Sequence, residues 1–171
     1  MLGKLRLFLR ALACAPIRGP LGPGERRLPE TLQAELSAEF PALELSGVVL
    51  VIDGPPSFIR KVAPIHPIAV TLGMVVFMEE RSRRLDADLD FRLIVHELTH
   101  VEQYCRHGVW GFLVRYFGAY ALNRMRGMSG EAAYRAIPFE IAARRREERV
   151  ERARRDRRNK NDSLTDENFI E

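Results

Sequence analysis

One short stretch, His96-Glu97-Leu98-Thr99-His100, has the residue types and spacing for metal chemistry. On a helix, residues four apart lie one above the other, so His96 and His100 project from the same face. Two neutral imidazoles placed this way reach a single Zn²⁺ at about 2.0–2.1 Å. Glu97, one position round, falls beside the open side of such an ion. A carboxylate there takes a proton from the water that the ion activates. On a helix, H-E-x-x-H is the signature of metal-dependent peptidases. The flanks predict that helix: Asp86, Asp88 and Asp90 supply cap and first-turn acids. Leu89, Leu93, Val95, Leu98 and Val101 then recur with no Pro or Gly before Gly108. The competing reading is a solvated helix face carrying two histidines. Ile94, Val95, Leu98 and Val101 oppose it, because they bury the helix, and buried polar atoms need partners.

A catalytic zinc site takes three protein ligands and leaves a fourth position for water. His107 is excluded by length, since an unbroken helix carries it roughly 10 Å along the axis from His100. It reads instead as a helix-end residue suited to the dipole. Glu131, beside Gly130 in the opening turn of a later helix, is likewise explained by the dipole. Glu140 differs, lying within Ala136-Ile137-Pro138-Phe139-Glu140-Ile141-Ala142-Ala143. A lone carboxylate among apolar and small residues is costly without a cation, which favours Glu140 as third ligand. Its alternative is a surface pair with Arg144, four residues on. Peptide hydrolysis also needs a donor for the negative charge developing on the substrate oxygen. Tyr134 is the first candidate, with Tyr104, Tyr116 and His66 behind it. Each is otherwise explained as a packed aromatic or a loop residue.

H-E-x-x-H followed by a Glu on a later helix resembles the gluzincin branch of the zincin-like metallopeptidases. Thr71-Leu72-Gly73 ahead of a strand, HELTHVEQY at 96–104 and YRAIPFEIAA at 134–143 narrow this. They are similar to the small zincin-like core domain of extracellular contractile injection system proteins, over about residues 45–145. The resemblance implies an α+β minimal zincin-like fold, with a small sheet packed on the HExxH helix and further C-terminal helices. It implies a zinc-dependent peptidase whose substrate is a peptide or protein. Its Zn²⁺ would be held by His96, His100 and Glu140, and its water activated by Glu97. The strand before the motif helix would pair with an extended substrate, implicating 69–78 and, within it, Thr71, Leu72, Gly73 and Met74. One departure stands out. Many gluzincins carry an Asp four residues after the Glu ligand to orient a histidine, and Arg144 occupies that position here.

At 171 residues and 46% hydrophobic, the chain is long enough for one domain with a core. Cys14 and Cys105 form no C-x-x-C, which excludes a sulfur-ligated zinc site and a disulfide framework. A reducing, cytoplasmic setting is the default expectation. No uncharged apolar run reaches the length of a membrane span. Residues 1–24 contain no acid, and Leu2, Leu5, Leu9 and Leu12 recur at helical spacing among Lys4, Arg6 and Arg10. Residues 1–14 are thus suited to contact with a membrane surface or a partner, or to packing on the domain.

The composition divides the chain into an N-terminal segment and Pro/Gly linker at 1–28, a domain at 29–145, and a charged extension and disordered tail at 146–171. Within the domain we expect a helix over 28–40, a strand over 45–52, and a strand or bent strand pair over 65–78 with a kink or bulge at Gly73. Helices are expected over 91–106 and 110–126. A last helix follows from Ser129, kinked or divided at Pro138 and reaching Arg158. From Arg144 to Lys160, ten basic residues stand against four acids. This run is either a nucleic-acid footprint or a solvated helix with internal ion pairs. The interleaved acids and the lack of aromatics for base stacking favour the second. A zinc-stabilised module without turnover is the remaining alternative to an enzyme, although it has no need of Glu97.

Overall fold

The computed structural model describes residues 15–52, 54, 68–78 and 91–167. Its elements run β1 (Glu25–Arg27), α1 (Glu30–Leu36), a 3-10 turn (Leu45–Gly47), β2 (Val49–Val51), β3 (Ala69–Leu72), β4 (Val75–Met78), α2 (Phe91–Met125), α3 (Gly130–Arg135) and α4 (Pro138–Glu167). The α+β class expected from the sequence is the class observed. The four strands form one sheet in the order β1-β2-β4-β3. β2 and β4 lie parallel at its centre, while β1 and β3 add antiparallel at the edges. The central strands are buried along their whole length. That burial accounts for their unbroken runs of Val, Leu, Phe and Met.

Three local differences from the sequence reading have physical causes. Gly73 is neither kink nor bulge: with φ 55° it opens the two-residue turn of the β3–β4 hairpin, a geometry that matches strand twist. The strand expected over 45–52 begins late, because Leu45–Gly47 forms a 3-10 turn. The stretch 15–24, read as a Pro/Gly linker, is anchored to the domain at Ile17. Ile17 is 2% exposed, and its backbone N–H donates to the Gly47 carbonyl at 3.0 Å. The Arg27 guanidinium gathers the carbonyls of Ile17, Ser46 and Gly19. Gly47 allows this approach, since a Cβ there would come within 2.7 Å of the Pro16 backbone. Gly47→Ala is therefore expected to destabilise the fold by about 1–3 kcal/mol, as overpacking does, measured by denaturant unfolding.

α2 carries the motif. Its buried residues Ile94, Val95, Leu98 and Val101 face the core, on the 3–4 spacing that an amphipathic helix requires. Gly108, at φ 66° and ψ 164°, breaks the helix into two limbs. The second limb turns back so that Phe112 and Tyr116 come within 6.0 and 6.4 Å of the His100 ring. Ser129 caps α3 by accepting from the Ala132 N–H. Pro138 divides the C-terminal region as expected, standing first in α4 where its missing N–H is harmless. The helical backbone then continues past Arg158 to Glu167, where the sequence reading expected a tail from 159. α4 packs along α2 through a face bearing Ala143 and Val150, with Ile137 buried just ahead of it. Residues 1–14, Asp86, Asp88, Asp90 and His66 lie outside the described residues.

Candidate metal centre

Two elements deliver the three ligand candidates. His96 and His100 stand one turn apart on the first limb of α2, and Glu140 lies in the opening turn of α4. The Glu140 carboxylate is 1% exposed. One of its oxygens lies 3.2 Å from His100 Nε2 and the other 3.3 Å from His96 Nε2. The two Nε2 atoms are themselves 3.2 Å apart. Among the described residues these three side chains form a cluster whose ligand atoms all lie within 4.8 Å of one another.

The hydrogen-bond partners behind the rings decide what this cluster can hold. His96 Nδ1 faces Glu147 Oε2 at 3.2 Å, and His100 Nδ1 faces Gln103 Oε1 at 2.8 Å. Both partners are acceptors, so each Nδ1 carries a proton and each Nε2 presents a lone pair inward. Two lone pairs and a carboxylate converging in a buried space repel one another unless a cation sits between them. Without a metal a proton takes that place. Burial pushes the His100 imidazolium down, but hydrogen bonding and charge from Glu140 outweigh it and leave its pKa raised. Burial pushes Glu140 up, and His100 and His96 more than reverse this, holding the carboxylate well below its usual range. A donor set of two imidazole nitrogens and one carboxylate suits a divalent transition metal. The residues present therefore fit a metal ion.

The groups that orient the ligands were not read from the sequence. Glu147 accepts from Arg92 Nε at 2.8 Å while its other oxygen meets His96, so one carboxylate ties α4 to α2. Gln103 holds His100 with its carbonyl and donates from Nε2 to the Phe139 carbonyl at 3.2 Å. Tyr116 donates to Glu140 Oε1 at 2.8 Å, and Arg144 reaches Oε2 at 3.4 Å. The alternative pairing of Glu140 with Arg144 is thus present beside the histidine contacts rather than instead of them. Spacing alone could have pointed to Glu147 and Gln103. Each lies seven residues after a ligand, two turns along the same helix face. Partners of this kind carry about 10–100-fold in metal affinity. Glu147→Ala is expected to lower metal affinity by about that factor, read by competition against a chelating dye.

Glu97 is buried beside the cluster, and its Oε2 accepts from Thr71 Oγ1 at 2.6 Å. Thr71 sits on β3, an edge strand of the described sheet. Leu72 ends that strand, and Gly73 and Met74 form the turn beyond it. Tyr134, on α3, is pushed up by burial, and the charges of Glu140 and Glu97 raise it further. Its hydroxyl therefore stays protonated and lies within the field of both carboxylates. Tyr116 is raised for the same first reason, burial, and both tyrosine hydroxyls hydrogen-bond to Glu140. Tyr104 is buried and stacked on Phe112 at 3.8 Å, a packing role. His107 stacks on Phe139 at 5.3 Å. Glu131 pairs with Arg135 at 2.8 Å on the surface. Neither joins the cluster.

Fold and site together define a small α+β domain with a His/His/Glu centre able to bind a metal ion. Residues 27–108 match the family described as the eCIS core domain. That match takes in the last residue of β1, the other three strands of the sheet and the first limb of α2 with both histidines and Glu97. It ends at the Gly108 break, before Glu140. No curated protein and no solved structure matches the chain.

Proposed function

We propose that the chain is a zinc-dependent metallopeptidase. The observation that carries this reading is the convergence of His96, His100 and Glu140 with a buried Glu97 carboxylate held beside them by Thr71. When bound, zinc supplies Lewis-acid activation of water and of the scissile carbonyl. Glu97 accepts the water proton on the oxygen that Thr71 leaves free and returns it to the leaving amine. Tyr134, kept protonated, donates to the carbonyl oxygen as negative charge develops there. The outer edge of β3 offers backbone N–H and C=O groups to an extended peptide. A substrate laid along it would run past Thr71 and Leu72 towards the turn at Gly73 and Met74.

The nucleic-acid reading gains less support. Arg146 pairs with Glu102 at 2.7 Å, Arg149 with Glu39 at 2.9 Å, Arg154 with Glu35 at 2.9 Å and Arg155 with Glu151 at 2.8 Å. The Arg154 guanidinium also lies 3.9 Å from the centre of the Phe91 ring. Arg146, Arg149 and Arg154 therefore clamp α4 to the domain, while Arg155 and Glu151 pair within the helix.

The test is elemental analysis of the purified chain joined to an assay on an unfolded protein. Stoichiometric zinc, and cleavage abolished by a chelator and restored by zinc, are expected. A chain that binds zinc without cleaving would favour a zinc-stabilised module. No zinc after supplementation would end both readings.

A further inference from the structure

The second limb of α2 turns an apolar face to solvent. Trp110 is 77% exposed, Val114 71%, Phe117 40% and Met125 79%. Their spacing places them on one stripe, opposite the buried Phe112 and Asn123. From Trp110 to Met125 that stripe runs about 22 Å along the helix. Arg115 and Arg124 flank the exposed face of the helix, and Arg126 follows its last residue. No Asp or Glu occurs between Glu102 and Glu131. None of these residues belongs to the metal centre. A long exposed stripe of this kind marks an interaction surface rather than scattered surface apolar residues.

We infer that this face docks on an anionic lipid bilayer. Charge selects the occupant. A second copy packed face to face would set the bordering arginines against themselves. Anionic headgroups satisfy the arginines while the interfacial region takes up the apolar stripe, with Trp110 suited to the boundary between the two. No helix among the described residues is long and apolar enough to cross a membrane, so the limb would lie in the plane of the surface.

Trp110 is the sole tryptophan in the chain, and its fluorescence reports on this face directly. With the full chain, vesicles of phosphatidylcholine and phosphatidylglycerol at low salt are expected to shift Trp110 emission to the blue and to carry the protein in flotation. Vesicles of phosphatidylcholine alone are expected to do neither. Val114→Asp with Met125→Asp, both outward-facing, is expected to abolish the shift and the flotation while circular dichroism stays unchanged. Arg115→Glu with Arg126→Glu is expected to weaken binding by about fivefold or more for each charge removed. Absence of binding overturns the proposal. So does flotation with no change at Trp110, or flotation unaffected by the two aspartates. A blue shift that grows with protein concentration without vesicles, with a doubled mass, would assign the face to a second copy instead.

Discussion

Glu97→Gln is expected to leave metal content and fold unchanged while hydrolysis of an unfolded protein falls by about 10²–10⁴-fold, the range for loss of a positioned acid–base group. The substitution is nearly isosteric, and an amide oxygen can still accept from Thr71 Oγ1, which holds the native carboxylate at 2.6 Å. The only lost property is the capacity to take up and return a proton. The three clustered ligand atoms of His96, His100 and Glu140 do not include Glu97, so binding has no reason to change. Metal analysis and turnover, measured on one preparation, separate the outcomes. Full activity in the variant would remove Glu97 from the mechanism. Loss of the metal along with the activity would make Glu97 a ligand or a packing residue rather than a base.

The legible part of this molecule was local. The 3–4 spacing of Ile94, Val95, Leu98 and Val101, broken at Gly108, located the first limb of α2 because burial imposes that period on a helix. His96 and His100 needed only helical geometry to fall together. Glu140 was legible by a different argument, the energetic oddity of a carboxylate between Ile137 and Ile141, which the structure answers with two imidazoles. β1 was not legible. Glu25, Arg26 and Arg27 have no strand pattern, and only their pairing with Val49–Val51 makes them a strand. The Pro/Gly composition of 15–24 concealed the burial of Ile17 for the same reason. Its partner surface, around Gly47 and Arg27, is assembled from residues distant in sequence or unremarkable in type.

The Arg-rich helix shows how tertiary context resolves an ambiguous composition. From Arg144 onwards the sequence alone permitted a footprint for nucleic acid or a solvated helix. In the fold, Glu147 within this run orients His96. Arg146, Arg149 and Arg154 reach acids on α2 and around α1. α4 therefore contributes the third ligand candidate at one end and the clamp that sets its angle over α2 further along. Arg144, four residues after Glu140, leans on its carboxylate. Glu147, three residues on, is the acid that faces His96 Nδ1.

Adding zinc to metal-free protein is expected to raise Tm by roughly 10 °C, and Glu140→Ala to abolish that rise. A ligand bound only by the native state, present at a thousandfold over its Kd, stabilises by about 4 kcal/mol. A chain of this size shifts by about 2–4 °C for each kcal/mol. The pH dependence distinguishes a metal from the proton it displaces. In the metal-free chain the His100 pKa is raised above 6.5 by Glu140. The stability from that protonated pair is complete below 6.5 and is lost as pH rises through the higher folded value. Glu140, with its pKa lowered, contributes stability above its ordinary carboxylate value and loses it only in strong acid. Metal-free protein should therefore weaken from neutral to mildly alkaline pH. The zinc-loaded protein should not, because the ion replaces the proton between the same lone pairs. The zinc-dependent rise in Tm should accordingly be larger at pH 8 than at pH 6. Equal rises at both pH values, or a rise that persists in Glu140→Ala, would place the ion outside this cluster.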